Sequence, residues 1–267
     1  MSSFFKYHLM NLELWQIVLL CIAAFCAGFI DAIVGGGGLV QLPAALVILN
    51  SFPVVTVVGS LKIPAFSGTF FATAQYLKKV KIKWSLMTVA CTIAFFAAYA
   101  GSETLTHVSN SFMKPVLLVI LTAVLIYTYL NKNFGQHEEK EHSTTTELIY
   151  VCVISLVIGF YDGFIGPGAG SFLILVFIAL LGFDFLHASA HAKMVNLATN
   201  LGSITLFLIK GKIIWLVALP MAASNALGSI IGANLAIAKG NKFIRIFFLI
   251  IVTATLFRFA YDVFIHR

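Results

Sequence analysis

Long apolar stretches recur along the whole chain, separated by short polar or glycine-rich breaks. Residues 12–34, 54–77, 84–101 and 112–130 each form an apolar run long enough to cross a hydrocarbon core about 30 Å thick. Residues 39–49 are equally apolar but too short, since eleven helical residues rise only about 16 Å. They are expected as a half-helix or re-entrant segment. Ser51-Phe52-Pro53 restarts the chain, with Ser51 a helix cap and Pro53 in the first helical turn. The same order then returns at 148–165, a short 172–181, 185–209, 215–237 and 243–265, with Asp184 at the restart. Residues 131–146 are the one hydrophilic stretch and read as an aqueous linker.

The second series repeats the first in detail. Gly28-Phe29-Ile30-Asp31 followed by Gly35, Gly36, Gly37 and Gly38 reappears as Gly159-Phe160-Tyr161-Asp162 followed by Gly166, Pro167, Gly168, Ala169 and Gly170. The offset is 131 residues (159 − 28), and it also carries Lys62 onto Lys193, Lys81 onto Lys212, Trp84 onto Trp215, Gly101 onto Gly232 and Thr122-Ala123 onto Thr253-Ala254. The pattern predicts an all-α polytopic membrane protein made of two homologous repeats, 1–130 and 147–267, joined by the 131–146 linker. If the short element is re-entrant, each half crosses four times and the repeats are parallel, giving eight spans. If it crosses, five spans per half force inversion and ten spans. Basic residues do not separate these topologies. Both put the 78–83 loop and the linker in the cytoplasm; the parallel one adds Lys6, Lys210, Lys212 and Arg267, the inverted one Lys239, Lys242 and Arg245. The length of the short element favours eight.

Composition agrees with a chain that is membrane domain throughout. Hydrophobic residues make up 60% and charged residues 10%, against roughly 25% charged in soluble domains, and the mean hydropathy is +1.00. A net charge of +7 would point to nucleic acid in a soluble protein; here it follows from basic loops, and no nucleic-acid partner is expected. Residues 14–34 exceed a signal-peptide core of roughly 7–15 residues, and Ala23-Ala24-Phe25-Cys26 is set aside as a lipoprotein box. Cys21, Cys26, Cys91 and Cys152 have no metal or disulfide spacing. Trp84 and Trp215 open spans after basic loops, as interfacial anchors do.

The chemistry gathers at the repeated positions. Consecutive glycines between a span and a short helix let the backbone unwind and expose N–H groups at a helix N-terminus, where an anion is favoured. Gly35, Gly36, Gly37, Gly38, Gly166, Gly168 and Gly170 are therefore candidate substrate-binding positions. Asp31, Asp162, Lys62 and Lys193 fall within spans, where an isolated charge costs roughly 2.5–3.5 kcal/mol. The spacing from acid to base is 31 in both halves (62 − 31 and 193 − 162). One reading is an Asp–Lys pair inside each half that pins helices. The other gives the lysines to an anion and the aspartates to orientation or proton coupling. His187, His191, Asn196 and Asn200 follow one another at near-helical spacing around Lys193. His191, Asn196 and Asn200 are candidate substrate-binding residues, and His191 a proton-coupling one. Two histidines make no metal site without a third ligand. Ser60, Ala65 and Thr69 stand at the matching places in the first half, so the second half is expected to supply most of the polarity. Glu103 reads as structural.

At these residues the chain resembles the TauE/SafE family of sulfite and sulfonate exporters, also called the toluene sulfonate uptake permease family, in its YfcA-like branch of membrane transporters. The resemblance lies in Gly28 to Gly38 and on to Pro43, in Gly159 to Pro167, and in Ala190-His191-Ala192-Lys193. It departs at Gly59 to Pro64, where Leu61 stands in place of an amide. It implies a bacterial inner-membrane secondary carrier of small organic or sulfur-containing anions, with proton coupling open. The expected partners are a small anionic substrate and the lipid bilayer, with homo-oligomerisation left open; no cofactor is implied. An anion channel, or a non-transport membrane protein with structural Asp–Lys pairs, are the alternatives. Enzymatic activity is not expected, since no nucleophile–base pair is found, and ATP-driven pumping would need a phosphate-binding loop motif that the chain lacks.

Overall fold

The glycines at 35–38 and 166–170 interrupt the chain where the sequence places its breaks. A computed structural model describes residues 12–108 and 143–265. The expected span at 112–130, most of the linker, Lys6, Arg267 and the Thr122-Ala123 pair lie outside these. Eight helices are described: α1 (Leu14–Val34), α2 (Gly38–Ile48), α3 (Val54–Leu77), α4 (Trp84–His107), α5 (Thr144–Phe164), α6 (Ala169–Leu181), α7 (Phe185–Ile209) and α8 (Trp215–Ile265), the last interrupted at Gly240. Six carry stretches long and apolar enough to cross a membrane, and α2 and α6 are the short apolar pair. Among the described residues there is no strand.

Helix ends follow local chemistry. Gly35, at φ 78°, closes α1 in the left-handed region, open to glycine at little cost. The Asp184 carboxylate caps α7 by accepting the His187 N–H at 2.8 Å. Three expectations shift. Pro53 rather than Ser51 holds the cap position of α3. Thr144, Thr145 and Thr146 belong to α5 and not to the linker, because the Ser143 hydroxyl caps that helix on the Thr146 N–H. α4 runs past Gly101 to His107. Gly101 is a packing position: a Cβ there would stand 2.1 Å from the Phe160 carbonyl oxygen.

Packing interleaves the two halves. α1 packs chiefly on α8, α4 on α5, α3 on α8 and α7 on α4. Close approach is set by small residues: Gly228 and Gly232 meet the backbone of Phe25 and Phe29, and Gly159 and Gly163 meet Ala94 and Ala98. The contacts also give directions. Tyr76, at the end of α3, donates to the carbonyl of Ala32 at the end of α1, and the Asn225 side chain touches both Gly28 and Gly68. α1 and α3 thus run parallel, and α2 returns beside α1, its first turn lying against Ala27 and Asp31. The 78–83 loop that follows α3 reaches His191, near the start of α7. The 210–214 loop that follows α7 reaches Ser60, near the start of α3. α3 and α7 therefore run antiparallel.

Two apolar cores lie toward opposite ends. One joins the end of α1 and the end of α3 to α6 and the start of α7. The other joins the first half of α1, α2 and the start of α3 to the end of α7 and the start of α8. Large apolar side chains such as Leu14, Trp15, Val18 and Ile22 on α1, and Ile149, Val153, Leu156 and Val157 on α5, face outward and exposed. Lipid is the environment that accepts such a surface.

Candidate binding site

Between the two cores the glycine breaks cross at backbone contact. The Ser171 N–H donates to the Gly35 carbonyl at 3.1 Å, and the Ser171 hydroxyl to the Val34 carbonyl at 2.8 Å. A Cβ on Gly35 would fall 2.2 Å from the Gly170 carbonyl carbon, and one on Gly38 would fall 3.0 Å from Pro167 Cα. Only glycine allows this crossing. The starts of α2 and α6 meet here, and with them the positive ends of two helix dipoles.

Beside the crossing lies a cavity enclosing about 620 Å³ of atom-free space, partly open to the exterior. Of the sequence-predicted residues, Asp31, Gly35, Gly37, Gly38, Lys62, Asp162, Gly166, Gly168, Gly170, Asn196 and Asn200 line it. Gly36, Lys193 and His191 do not. The sequence reading missed Gln41 on α2 and Asn225 on α8, which also line it. Neither belongs to the repeated frame: 131 residues away stand Phe172 and Ala94. Leu42, Val58, Leu61, Ala65 and Ile165 give the wall an apolar portion.

The four charges pair, but across the halves rather than inside each. Lys62 Nζ donates to Asp162 Oδ1 at 2.9 Å and to the Asp162 carbonyl at 2.6 Å. Lys193 Nζ lies 2.7 Å from Asp31 Oδ2 and also donates to the Asp31 carbonyl. Pairing inside each half is thereby corrected. The two pairs are unequal. The Thr199 hydroxyl donates to Asp162 Oδ2, whereas Gly68 holds the matching place in the first half and offers Asp31 no such donor. Side-chain exposure follows, 6% for Asp162 and 17% for Asp31.

His191 stands apart from the cavity lining. Its ring is buried against Phe183 at 4.6 Å between centroids. Nδ1 bonds the His187 carbonyl at 2.7 Å, and Nε2 faces the Lys83 N–H at 3.4 Å. Nδ1 then carries the proton and Nε2 accepts. Ser60, at the matching position, does the same: it donates to the Thr56 carbonyl at 2.7 Å and accepts from the Ile214 N–H at 2.8 Å. Lys83 and Ile214 are themselves 131 apart. His191 and Ser60 are loop clasps, and neither lines the cavity. His187 bonds Asp184 at the surface, and among the described residues no group of three or more His, Cys, Asp or Glu is placed to hold a metal. Glu103 takes Lys210 at 2.9 Å and His107 at 3.0 Å.

A multi-pass helical membrane protein with crossed broken helices, buried ion pairs and a central cavity has the build of a transporter. The chain belongs to the sulfite exporter TauE/SafE family, whose sequence profile matches residues 20–259. Among its relatives are "Probable membrane transporter protein ORF9" of a Sinorhizobium species, 34% identical over 94% of this chain and 95% of that one. "Probable membrane transporter protein" of Haemophilus influenzae is 34% identical over 85% and 88%. "Probable membrane transporter protein YfcA" of Escherichia coli K12 is 32% identical over 90% and 87%. No solved structure matches.

Proposed function

We propose that this membrane transporter is a secondary carrier of small organic or sulfur-containing anions, sulfite and sulfonates being the test cases. It works in the bacterial inner membrane, and its substrate sits in the cavity beside the crossing of the glycine breaks. The observation that carries this reading is the convergence of two broken-helix N-termini and the Lys62 ammonium on one cavity. Lys62 has two of its three N–H groups on Asp162 and a third for a substrate. Asp31, the more exposed carboxylate and on the cavity wall, is the place for proton coupling.

The antiparallel course of α3 and α7 supports inverted repeats. In that reading α2 and α6, with the unwound residues on either side, cross the bilayer, and with the 112–130 run expected from sequence each half crosses five times. Inverted halves whose two cores close opposite ends around one site suit alternating access. The test is uptake of labelled sulfite or methanesulfonate by reconstituted vesicles, with and without a pH gradient. Wild type accumulates anion, and faster with the gradient; Lys62→Met with Asp162→Asn, which keeps the charge balanced, does not. A folded wild type that moves neither anion sinks the carrier reading. Uptake indifferent to the gradient sinks proton coupling alone.

A further inference from the structure

Gln41, a cavity-lining residue, carries a buried amide nitrogen with no hydrogen-bond partner among the described residues. Among the buried side-chain polar atoms without a hydrogen-bond partner in the described residues, Gln41 Nε2 is the one that belongs to a cavity-lining residue. Gln41 is only 3% exposed, and buried amide N–H groups are seldom left unpaired unless something uses them.

Its orientation is built in. Asn225 Nδ2 donates to Gln41 Oε1 at 3.1 Å, which fixes the oxygen end of the glutamine on α8 and leaves the nitrogen end unbound. Asn225 is held in turn, its Oδ1 3.4 Å from the Ser229 hydroxyl. Room for it exists because two neighbouring helices have no side chain there. A Cβ on Gly28 would stand 2.7 Å from Asn225 Oδ1, and one on Gly68 1.8 Å from it. Three helices thus close around one amide that holds the oxygen end of another. The device is single, since Phe172 and Ala94 stand at the matching positions. Elsewhere on the wall, Asn200 Nδ2 bonds Asn196 Oδ1 at 3.3 Å, and Leu42 and Val58 lie on its apolar part.

We propose that Gln41, oriented by Asn225, is the specificity-determining donor of this carrier and takes an acceptor oxygen of the substrate. The inference rests on the anion-carrier reading and deepens it. Lys62 and the helix N-termini favour any small anion, whereas the amide N–H selects one with a second acceptor oxygen. The ligand class is then a sulfonate, sulfite or carboxylate with little apolar bulk, preferred over a halide of equal charge.

The experiment is labelled-sulfite uptake in proteoliposomes at fixed pH, competed with methanesulfonate, acetate or chloride, for wild type, Gln41→Leu and Gln41→Glu. Gln41→Leu raises KM for sulfite, and the inhibition constants of the two organic oxyanions, by about ten- to a hundredfold, with kcat and chloride competition little changed. Gln41→Glu, which puts an anionic acceptor in place of the donor, weakens all oxyanions further. Asn225→Ser releases the glutamine and gives a smaller rise in KM, and it serves if a Gln41 variant fails to fold. Unchanged KM with reduced kcat or reduced thermal stability makes Gln41 a packing residue and overturns the inference alone. A folded wild type that neither transports nor is thermally stabilised by any of these oxyanions overturns the carrier reading, and the inference with it.

Discussion

Removing one partner of Lys62–Asp162 should be far more damaging than removing both. The two side chains are 7% and 6% exposed and 2.9 Å apart. Lys62→Met leaves a buried carboxylate with only the Thr199 hydroxyl; Asp162→Asn leaves a buried ammonium with neutral acceptors alone, the carbonyl of residue 162 and the new amide oxygen. Each single change is expected to destabilise by about 3–5 kcal/mol, as buried pairs do when broken. The double variant carries no stranded charge, so its loss falls short of the sum by about 2–3 kcal/mol. Lys62→Met with Asp31→Asn lacks that rescue, because Asp31 is the partner of Lys193. The measurement is a pair of double-mutant cycles by reversible unfolding in bicelles. A coupling between Lys62 and Asp31 as large as that between Lys62 and Asp162 would refute the pairing across halves.

Three further outcomes are expected. With the four native cysteines replaced, Lys81→Cys and Lys212→Cys should react with an impermeant maleimide from opposite faces of the membrane, because α3 and α7 run antiparallel; labelling from one face would return the protein to parallel repeats. Gly35→Ala, at φ 78° and facing the Gly170 backbone, should lose more than about 2 kcal/mol in thermal unfolding, while Gly211→Ala, at φ 62° with no atom within 4 Å, should lose only the roughly 1–2 kcal/mol of a left-handed alanine; equal losses would deny the crossing. His191→Ala should speed tryptic cleavage at the 78–83 loop about fivefold, the effect of roughly 1 kcal/mol of lost hydrogen bonding, and His191→Gln should restore protection. A rise in substrate KM without any change in cleavage would put His191 back at the site.

Much of this architecture was legible because the bilayer leaves few options. Apolar runs of span length, breakers at Gly35–Gly38 and Gly166–Gly170, and the restart at Asp184 are local properties, and local properties read directly from sequence. Partners are not local. The equal spacing of Asp31–Lys62 and Asp162–Lys193 suggested pairing inside each half, yet a shared spacing is also what two interlocked copies produce when they exchange partners. His191 looked like a site residue because imidazole is chemically versatile, while its position matches Ser60, whose work is to hold a loop. Noticing that Lys83 and Ile214 share the same offset would have hinted at that. Gln41 and Asn225 carry no signal at repeated positions, since Phe172 and Ala94 stand at their counterparts. Gly101 misled for a related reason: a glycine that ends a helix and a glycine that admits a neighbouring backbone are the same letter.

The exchange of partners also sets a timetable for biosynthesis. Lys62 and Asp162 are 100 residues apart, and Asp31 and Lys193 are 162 apart. At about 5–20 residues per second, the ribosome leaves Lys62 without its counter-ion for roughly 5–20 seconds after it emerges. Its helix is also among the least hydrophobic of the candidate spans, with a mean hydropathy of 1.4 against 2.7 for α1. A newly made α3 therefore has reason to linger in the aqueous interior of the insertion machinery until α5 arrives. Release into lipid becomes a joint event, timed by the synthesis of the second copy and not by the completion of the first.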